Sequence, residues 1–331
     1  FVDVHSHQWK MPVMDFTELV AEMDSLNMGY MINLSGSGFG TFAGNQDLMD
    51  ISLTKSIENV ESQGLSNRFG VFVNVDFNKI DDENFAENNV RIIKDAVNQG
   101  AIGLKVYKNL GLNLKDGSGD RVKVDDPRLN PIWQVCGELK IPVLIHSGEP
   151  SPFFDPIDKY NERWLHARQK PASFRSPEKY PSFDVVMQEQ HNMFKNNPNT
   201  IFINAHLGWY GNDLDKLSQQ LDSLSNVYTE IGAVIAELGR QPIRAKRFFV
   251  EHQDRVLFGK DTYKKSEYNI YFRILETDDE YFDYYRKRHA HWRMYGLNLP
   301  DSILKKLYYK NALRLFPSIP ADLFEIKNEM K

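Results

Sequence analysis

The chain has 331 residues and a formal net charge of −5, with 41% hydrophobic and 26% charged residues. This acidic balance argues against a nucleic-acid-binding protein, which usually presents a basic face, and no apolar stretch approaches the ~20 residues that cross a bilayer. The only cysteine, Cys136, excludes an intrachain disulfide and is interpreted as a buried apolar residue of a helix. Because the sequence does not begin with methionine, we expect a segment upstream of it, and both a cytoplasmic and an exported protein stay open.

Short apolar runs alternate with helical patterns along almost the whole chain. The runs that predict strands cover residues 1–7, 30–34, 69–74, 101–106, 141–146, 201–206, 226–230 and 255–261. The helical patterns cover residues 16–26, 48–63, 85–98, 132–139, 183–196, 214–224, 243–252 and 302–315. Eight strands alternating with helices predict an α/β protein with a (β/α)8 TIM-barrel fold, in which residues 1–331 form a single domain.

Two segments are longer than such a barrel requires. Residues 149–181 form an extended loop after the fifth strand; loops of this length are usually functional, and its aromatic residues suggest a lid over the barrel mouth. Residues 268–295 form an insertion after the eighth strand, with a helix predicted over residues 276–293. In a helix, His289 and His291 would diverge by ~200°, so we do not expect them to chelate one ion.

Other candidate sites carry a weaker signal. The Gly/Ser-rich segment 35–40 lacks the Lys-Ser/Thr ending of a phosphate-binding loop and is interpreted as a flexible rim loop. His166, His191 and His252 do not end a predicted strand, so surface or capping roles are the preferred interpretation.

The first predicted strand ends in two histidines, His5 and His7, one residue apart. Residues i and i+2 of a strand point to the same face, so the two imidazoles are placed to hold one ion. Neutral imidazole suits zinc, iron, nickel or copper. A His-x-His pair also occurs by chance, so the pair alone is a weak signal for a metal site.

Three further apolar runs end in a candidate ligand: His146, His206 and Asp261. In a parallel barrel the C-terminal ends of all strands open onto one face, where catalytic residues gather. The four strand ends therefore offer their histidines and one aspartate to the same place, which strengthens the prediction of a metal site.

These motifs resemble the amidohydrolase superfamily of metal-dependent barrels. The resemblance lies in Asp3-Val4-His5-Ser6-His7, Gly103-Leu104-Lys105, Val143-Leu144-Ile145-His146, Asn204-Ala205-His206-Leu207-Gly208 and Phe258-Gly259-Lys260-Asp261. It is similar to the amidohydrolase-related branch that includes aminocarboxymuconate-semialdehyde decarboxylase and dicarboxylate lactonases, and it runs to about Phe316. One departure is Lys260, where the family more often has a small residue; a lysine that faced the pocket would alter what binds.

The resemblance implies one divalent transition metal, which we expect to be zinc, bound by His5, His7, His146 and Asp261. Three nitrogens and a carboxylate match a zinc site that keeps a position for water, and zinc lowers the pKa of such a water toward ~7. Asp261 is then expected to accept the proton that the water loses. His206 is expected to act beside the water as an acid–base group, or to be a further ligand.

Lys105 leaves the metal count open. In other branches of the superfamily a lysine reacts with carbon dioxide to give a carbamate that bridges two metals. In that case Lys105 and His206 would be ligands of a binuclear centre. The alternatives are a lysine that binds a substrate carboxylate and one whose stem packs while its ammonium finds an acidic partner. We favour one metal over two.

Further residues near strand ends are candidate contacts. Glu230 is expected to orient a ligating histidine, as such ligands usually require, or to pair with Lys105. Candidate substrate contacts are Lys105, Tyr107, Arg163, Trp164 and Arg240. Because arginine suits bidentate contact with a carboxylate, a small, carboxylate-bearing substrate is expected.

The leading functional hypothesis is a metal-dependent hydrolase that uses a metal-activated water on an amide, ester or lactone. The alternative is a metal-dependent decarboxylase or hydratase of an unsaturated carboxylic acid, because its ligands would be nearly the same. A non-catalytic barrel is disfavoured since no expected ligand is missing. The sequence leaves the substrate and assembly into a homo-oligomer open.

Overall fold

The computed structural model describes residues 1–38, 40 and 44–324. Within them, eight parallel strands follow one another along the chain: β1 (Val2–Ser6), β2 (Tyr30–Asn33), β3 (Phe69–Val71), β4 (Leu104–Val106), β5 (Val143–Ile145), β6 (Phe202–Asn204), β7 (Val227–Glu230) and β8 (Val256–Leu257). They pair in the orders β1-β2-β3 and β4-β5-β6-β7-β8. Nearly every strand residue is buried, which is why the strands read as continuous apolar runs.

Two contacts join the two sheets into a closed barrel. A parallel bridge between Val73 and Leu104 links β3 to β4, and another between Ser6 and Asp261 links the ends of β1 and β8. The Val4 amide also donates to the Phe258 carbonyl at 3.0 Å. The predicted TIM barrel is therefore confirmed, and its closure places the last residues of β1 beside the segment that follows β8.

Helices connect the strands as predicted. They span Thr17–Ser25, Gln46–Ser62, Phe85–Asn98, Asn130–Glu138, Phe183–Asn196, Leu214–Ser223, Ile235–Gly239 and Pro242–Glu251, and the chain continues through Asp301–Lys305, a π-helical turn at Lys306–Lys310 and Asn311–Leu315. Side chains cap several helices: the Ser182 hydroxyl accepts from the Val185 amide, and the Asp213 carboxylate accepts from the Lys216 amide. Cys136 is fully buried in its helix, as predicted. No helix of the described residues is long and apolar enough to cross a membrane.

The segment after β5 is irregular apart from the short helix Trp164–Gln169 and several 3-10 turns. Phe153 and His166 are buried within it, with ring centres 4.9 Å apart. The expectation of a surface or capping role is therefore wrong for His166. His252 is buried too, but it forms the C-cap of the helix Pro242–Glu251, so the capping role expected for it is met.

The insertion after β8 differs from the prediction. Its helix spans Lys265–Glu276, and an antiparallel pair formed by β9 (Phe282–Asp283) and β10 (Arg293–Met294) replaces the helix expected over residues 276–293. Phe282 is buried and Asp283 exposed, an alternation typical of a strand. His289 and His291 lie in the connection between β9 and β10, and His289 stacks on His166 with ring centres 4.8 Å apart.

The segment after β2 also differs from its prediction. Ser35 and Ser37 are buried, so the described part of the Gly/Ser-rich segment, residues 35–38 and 40, is packed beneath the barrel mouth rather than forming an exposed rim. Residue 39 lies outside the described residues.

Candidate metal centre

His5 is held in one orientation by Glu230. Its Nδ1 lies 3.0 Å from a carboxylate oxygen of Glu230, and both side chains are buried. A carboxylate accepts, so Nδ1 carries the proton and the Nε2 lone pair is left facing the barrel mouth. Gly259 permits this contact, because a Cβ there would lie 2.4 Å from a Glu230 oxygen and 2.8 Å from His5 Cβ. This is the orienting contact predicted for Glu230.

His7 is oriented by a hydrogen-bond chain through the segment after β2. Its Nδ1 lies 2.6 Å from the Ser35 hydroxyl, which lies 3.1 Å from the Tyr107 hydroxyl, and Tyr107 donates to the Leu34 carbonyl at 3.2 Å. With Tyr107 donating to a carbonyl, Ser35 donates to Tyr107 and accepts from His7 Nδ1. His7 therefore also presents its Nε2 lone pair.

The Nε2 atoms of both histidines converge on Asp261. One of its carboxylate oxygens lies 3.5 Å from Nε2 of His5 and 3.5 Å from Nε2 of His7. The backbone at Asp261 has φ 77°, and its amide donates to the His5 carbonyl at 2.6 Å. This left-handed conformation, unusual for a residue with a side chain, turns the carboxylate toward the histidines.

The charge states of this cluster suit a cation. Burial lowers the pKa of His5 well below its usual value and that of His7 to about 4, so both imidazoles are neutral ligands at pH 7. Burial alone would raise the pKa of Asp261, but the surrounding imidazoles and the Lys105 ammonium hold it below its usual value. His5 Nε2 is buried and has no hydrogen-bond partner among the described residues. His5, His7 and Asp261 thus offer three converging ligand atoms, which fits a divalent metal.

His206 and His146 form a second pair beside this cluster. His206 Nδ1 lies 2.7 Å from the Gly232 carbonyl, so it carries the proton, and Nε2 accepts from Nδ1 of His146 at 3.2 Å. This arrangement leaves His146 Nε2 buried without a hydrogen-bond partner among the described residues. The rings of His206 and His5 are 4.9 Å apart. The structure thus places both residues at the predicted face, although His146 lies outside the three-atom cluster.

A left-handed turn after β6 positions His206. Residues 206–209 all have φ between 55° and 61°, and a Cβ on Gly208 would lie 2.3 Å from the Asn204 side-chain nitrogen. The His206 amide donates to Glu230 at 2.6 Å. Such strain persists only where surrounding contacts enforce it, and it is often found at functional sites.

Lys105 lies at the end of β4 with its ammonium buried. It has no hydrogen-bond partner among the described residues, although Nζ lies 5.4 Å from the Tyr107 ring centre. Burial lowers its pKa to about 8, against the opposing influence of Asp261 and Glu230. An ammonium that is buried and lacks an acceptor is costly, and a bound anion would satisfy it.

Lys105 opens onto a cavity of about 610 Å³ at the barrel mouth. The cavity wall combines charged, aromatic and aliphatic side chains: Val75, Asp76, Phe77, Asn78, Lys105, Tyr107, Lys108, Asn109, Leu112, Asn113, His146, Ala172, Arg175 and Tyr180. The last three of these belong to the segment after β5. That segment therefore borders the mouth, as the lid prediction required.

Glu149, which the sequence reading did not single out, lies behind this wall. Its buried carboxylate accepts from Lys108 Nζ at 2.7 Å and pairs closely with Arg175, and it lies 3.9 Å from His146 Nε2. Two of the cations lining the cavity thus share one carboxylate, whereas Lys105 has no carboxylate within hydrogen-bonding distance among the described residues. The signal in the sequence that could have identified Glu149 was its position, as an acid three residues after the strand-end histidine His146.

The other predicted substrate contacts lie away from this cavity wall. Arg163 donates to Glu237 at 2.6 Å, and Arg240 donates to Glu162 at 2.6 Å. Both guanidinium groups are thus paired with carboxylates, while the Trp164 side chain is 42% exposed. That these three residues bind substrate stays a prediction.

Lys260 does not face the cavity. Its Nζ donates to Glu267 at 2.7 Å and to the Thr262 carbonyl at 3.0 Å, among the rings of Tyr268, Tyr271 and Tyr285. The expectation of a pocket-facing lysine at this position is therefore not met, because Lys260 pairs with Glu267 of the insertion.

The sequence profile of the amidohydrolase family (Amidohydro_2) matches residues 2–318. The chain belongs to the amidohydrolase family. The resemblance inferred from the strand-end motifs is thus confirmed. This family includes both hydrolases and decarboxylases, so membership leaves the reaction open. A search of curated protein sequences found no match.

Solved structures share the fold at low sequence identity. 2,6-Dihydroxybenzoate decarboxylase from Rhizobium superposes with a TM-score of 0.59 at 13% identity, covering 96% of this chain and 98% of its own. Dihydroxybenzoic acid decarboxylase from Polaromonas sp. JS666, with bound manganese and the inhibitor 2-nitroresorcinol, gives 0.58 at 15% identity and covers 98% of both chains. 5-Carboxyvanillate decarboxylase from Sphingomonas paucimobilis gives 0.51 at 15% identity, covering 92% and 83%. These similarities support the barrel fold of this amidohydrolase.

Proposed function

We propose that this amidohydrolase is a metal-dependent hydrolase that cleaves an amide, ester or lactone bond in a small, carboxylate-bearing molecule. One observation carries the proposal: the Nε2 atoms of His5 and His7 converge on Asp261 beside a buried ammonium that has no hydrogen-bond partner among the described residues. The cluster suits a metal, and the ammonium suits the carboxylate of a substrate.

His5, His7 and Asp261 would hold one divalent transition metal, for which zinc is our first choice. His146 is the fourth proposed ligand because its buried Nε2 lacks a partner within the described part of the chain. When bound, such a metal supplies a Lewis acid that polarises a carbonyl and makes water more acidic. The manganese reported in the dihydroxybenzoic acid decarboxylase is consistent with a divalent metal in this fold. A second metal with a carboxylated Lys105 is the alternative, and it would recruit His206.

Lys105 is proposed to fix the substrate carboxylate. Since Lys108 and Arg175 both pair with Glu149, Lys105 is the lining cation whose charge has no carboxylate within hydrogen-bonding distance among the described residues. A carboxylate on Lys105 would orient the substrate's reacting bond toward Asp261. The aromatic ring of Tyr107 and the side chains of Phe77 and Leu112 would then contact the apolar body of the substrate.

Proton transfer is assigned to Asp261 and His206. The Asp261 carboxylate, whose pKa is held low, is ionised at pH 7 and can accept a proton from an attacking water. His206 Nε2 is the acceptor of the His146 contact, so it can take part only when that contact opens. Its proposed role is then to pass the proton that Asp261 has accepted from the water on to the leaving atom of the substrate.

Decarboxylation is the second candidate reaction. It is favoured by the position of Lys105, because a carboxylate held there lies beside Asp261 and would itself be a reacting group. The fold shared with three decarboxylases is compatible with this reaction. Here Asp261 or His206 would pass a proton from water to the carbon that loses carbon dioxide.

Product analysis distinguishes the two reactions. The zinc- and manganese-loaded proteins would be incubated in H₂¹⁸O with carboxylate-bearing lactones, esters and amides, and with 2,6-dihydroxybenzoate labelled in its carboxyl carbon. Hydrolysis predicts ¹⁸O in the product acid and no release of labelled carbon dioxide. Release of labelled carbon dioxide, with no hydrolysis of the other probes, would reject the hydrolase assignment in favour of the decarboxylase. Lys105→Met should abolish whichever activity is found.

A further inference from the structure

Asp3 joins the two segments that carry the proposed metal ligands. It is completely buried in β1, and a single oxygen, Oδ1, accepts from the His5 amide at 3.0 Å and from the Lys260 amide at 3.1 Å. His5 is a proposed ligand, and Lys260 directly precedes another, Asp261. One carboxylate oxygen therefore fixes the backbone of both ligand-bearing segments.

The second oxygen of this carboxylate is held from outside the barrel. The hydroxyl of Tyr268, on the helix Lys265–Glu276, donates to Asp3 Oδ2 at 2.6 Å. Tyr268 is completely buried, and the Lys260–Glu267 ion pair fixes the same helix against the segment after β8. The insertion thus reaches the proposed metal centre through one hydroxyl group.

One side-chain conformation of Asp3 serves both ligand-bearing segments, because the same oxygen accepts from both amides. The hydrogen bond from Tyr268 to the other oxygen holds that conformation. Among the described residues, the backbone contacts that close the barrel between β1 and β8 include the hydrogen bond from Val4 to Phe258 and the Ser6–Asp261 bridge with its hydrogen bond from Asp261 to His5. Asp3 supplies a side-chain link at the same closure point.

We propose that Asp3 and Tyr268 form a positioning pair that sets the separation of His5 and Asp261, so that the insertion after β8 tunes metal affinity. The inference rests on the proposed metal centre. Neither residue lines the cavity at the barrel mouth. Their effect is therefore transmitted through the backbone of the ligands.

The test measures zinc affinity by competition with a fluorescent chelator, and the thermal stability of the zinc-free protein, for the full chain. Tyr268→Phe keeps the ring and removes the hydroxyl. The matched control is Tyr308→Phe, because Tyr308 packs on the same Phe1 and Phe258 rings but its hydroxyl bonds to Glu276 at 2.5 Å. Asp3→Ala and the double variant with Tyr268→Phe complete the set, and Asp3→Asn is the conservative replacement.

Tyr268→Phe should weaken zinc binding roughly 10-fold, the lower end for a residue that orients a ligand, while Tyr308→Phe should leave it unchanged. Asp3→Ala should weaken it further, Asp3→Asn should restore part of the loss, and Tyr268→Phe should add nothing to Asp3→Ala. Equal zinc affinities for the two tyrosine variants, or an additive effect in the double variant, would overturn the inference while leaving the metal centre intact. A wild-type protein that does not bind zinc or manganese would overturn both.

Discussion

Replacing Lys105 with methionine should stabilise the metal-free protein while removing its function. Methionine keeps most of the stem and removes an ammonium that is buried without a hydrogen-bond partner in the described chain. Burial moves the pKa of this group from 10.5 to about 8, and each pKa unit corresponds to about 1.4 kcal/mol. The charged side chain therefore costs about 3 kcal/mol of folding free energy at pH 7.

The pH dependence of this cost follows from the sign of the shift. Below about pH 8 the folded and unfolded chains both carry the charge, so the full cost is present. As the pH rises from about 8 to about 10.5, the folded protein releases its proton first, and the cost disappears. Lys105→Met should thus exceed the wild type in stability by about 2–3 kcal/mol at pH 7, and the difference should shrink by pH 9.5.

Urea unfolding of the metal-free proteins at both pH values measures this difference. Lys260→Met is the matched control, because Lys260 is equally buried but its ammonium donates to Glu267 and Thr262. It should lose about 1–3 kcal/mol, as expected when a buried charged hydrogen bond is broken. A Lys105→Met variant that is less stable than the wild type at pH 7, or whose stability difference does not vary with pH, would refute the reasoning. Lys105 would then be a structural ion-pair partner.

Three further predictions concern neighbouring groups. Glu230→Gln should weaken zinc binding roughly 10–100-fold in chelator competition. Both oxygens of the carboxylate accept hydrogen bonds, one from His5 and the His206 amide and the other from the Gly232 amide, whereas a side-chain amide has only one accepting oxygen. Unchanged affinity would exclude a role of Glu230 in orienting His5. His206→Asn should keep the metal and lose roughly two to four orders of magnitude in turnover, whereas loss of one of two metals would favour the binuclear centre. Burial, aided by nearby cations, lowers the pKa of His166 to about 4 and that of His289 to about 3. As the pH falls, these histidines therefore take up protons in the unfolded chain before they do so in the folded protein. Stability should fall as the pH drops from about 6.5 to about 3, and urea unfolding of His166→Phe should show a shallower fall.

The sequence predicted the barrel and its strand-end residues because both follow from local pattern. Each strand is a short apolar run, and parallel strands of a barrel end on one face, so His5, His7, His206 and Asp261 could be brought together without any contact information. The pair of strands at Phe282–Asp283 and Arg293–Met294 was missed, because strands of two residues are too short to show an alternating pattern in the sequence.

The contacts that orient these ligands could not be predicted from the sequence, because they join residues that are far apart along the chain. Tyr268 lies 265 residues from Asp3, and Glu230 lies 225 residues from His5. The contact of Ser35 was overlooked since its neighbours resemble an exposed loop, although it lies only two residues after β2. An acid in an otherwise apolar strand, as at Asp3, was a usable signal of a buried polar contact.

Metal content is the most direct test of the proposed metal-dependent function. The wild type, His5→Ala and Asp261→Ala would be purified, exposed to zinc or manganese, desalted and measured by elemental analysis, with His191→Ala as a control away from the cluster. The account predicts about one metal ion per chain in the wild type and the control, and loss of metal in both cluster variants. Full occupancy in either cluster variant, or a wild type that retains no metal, would contradict it.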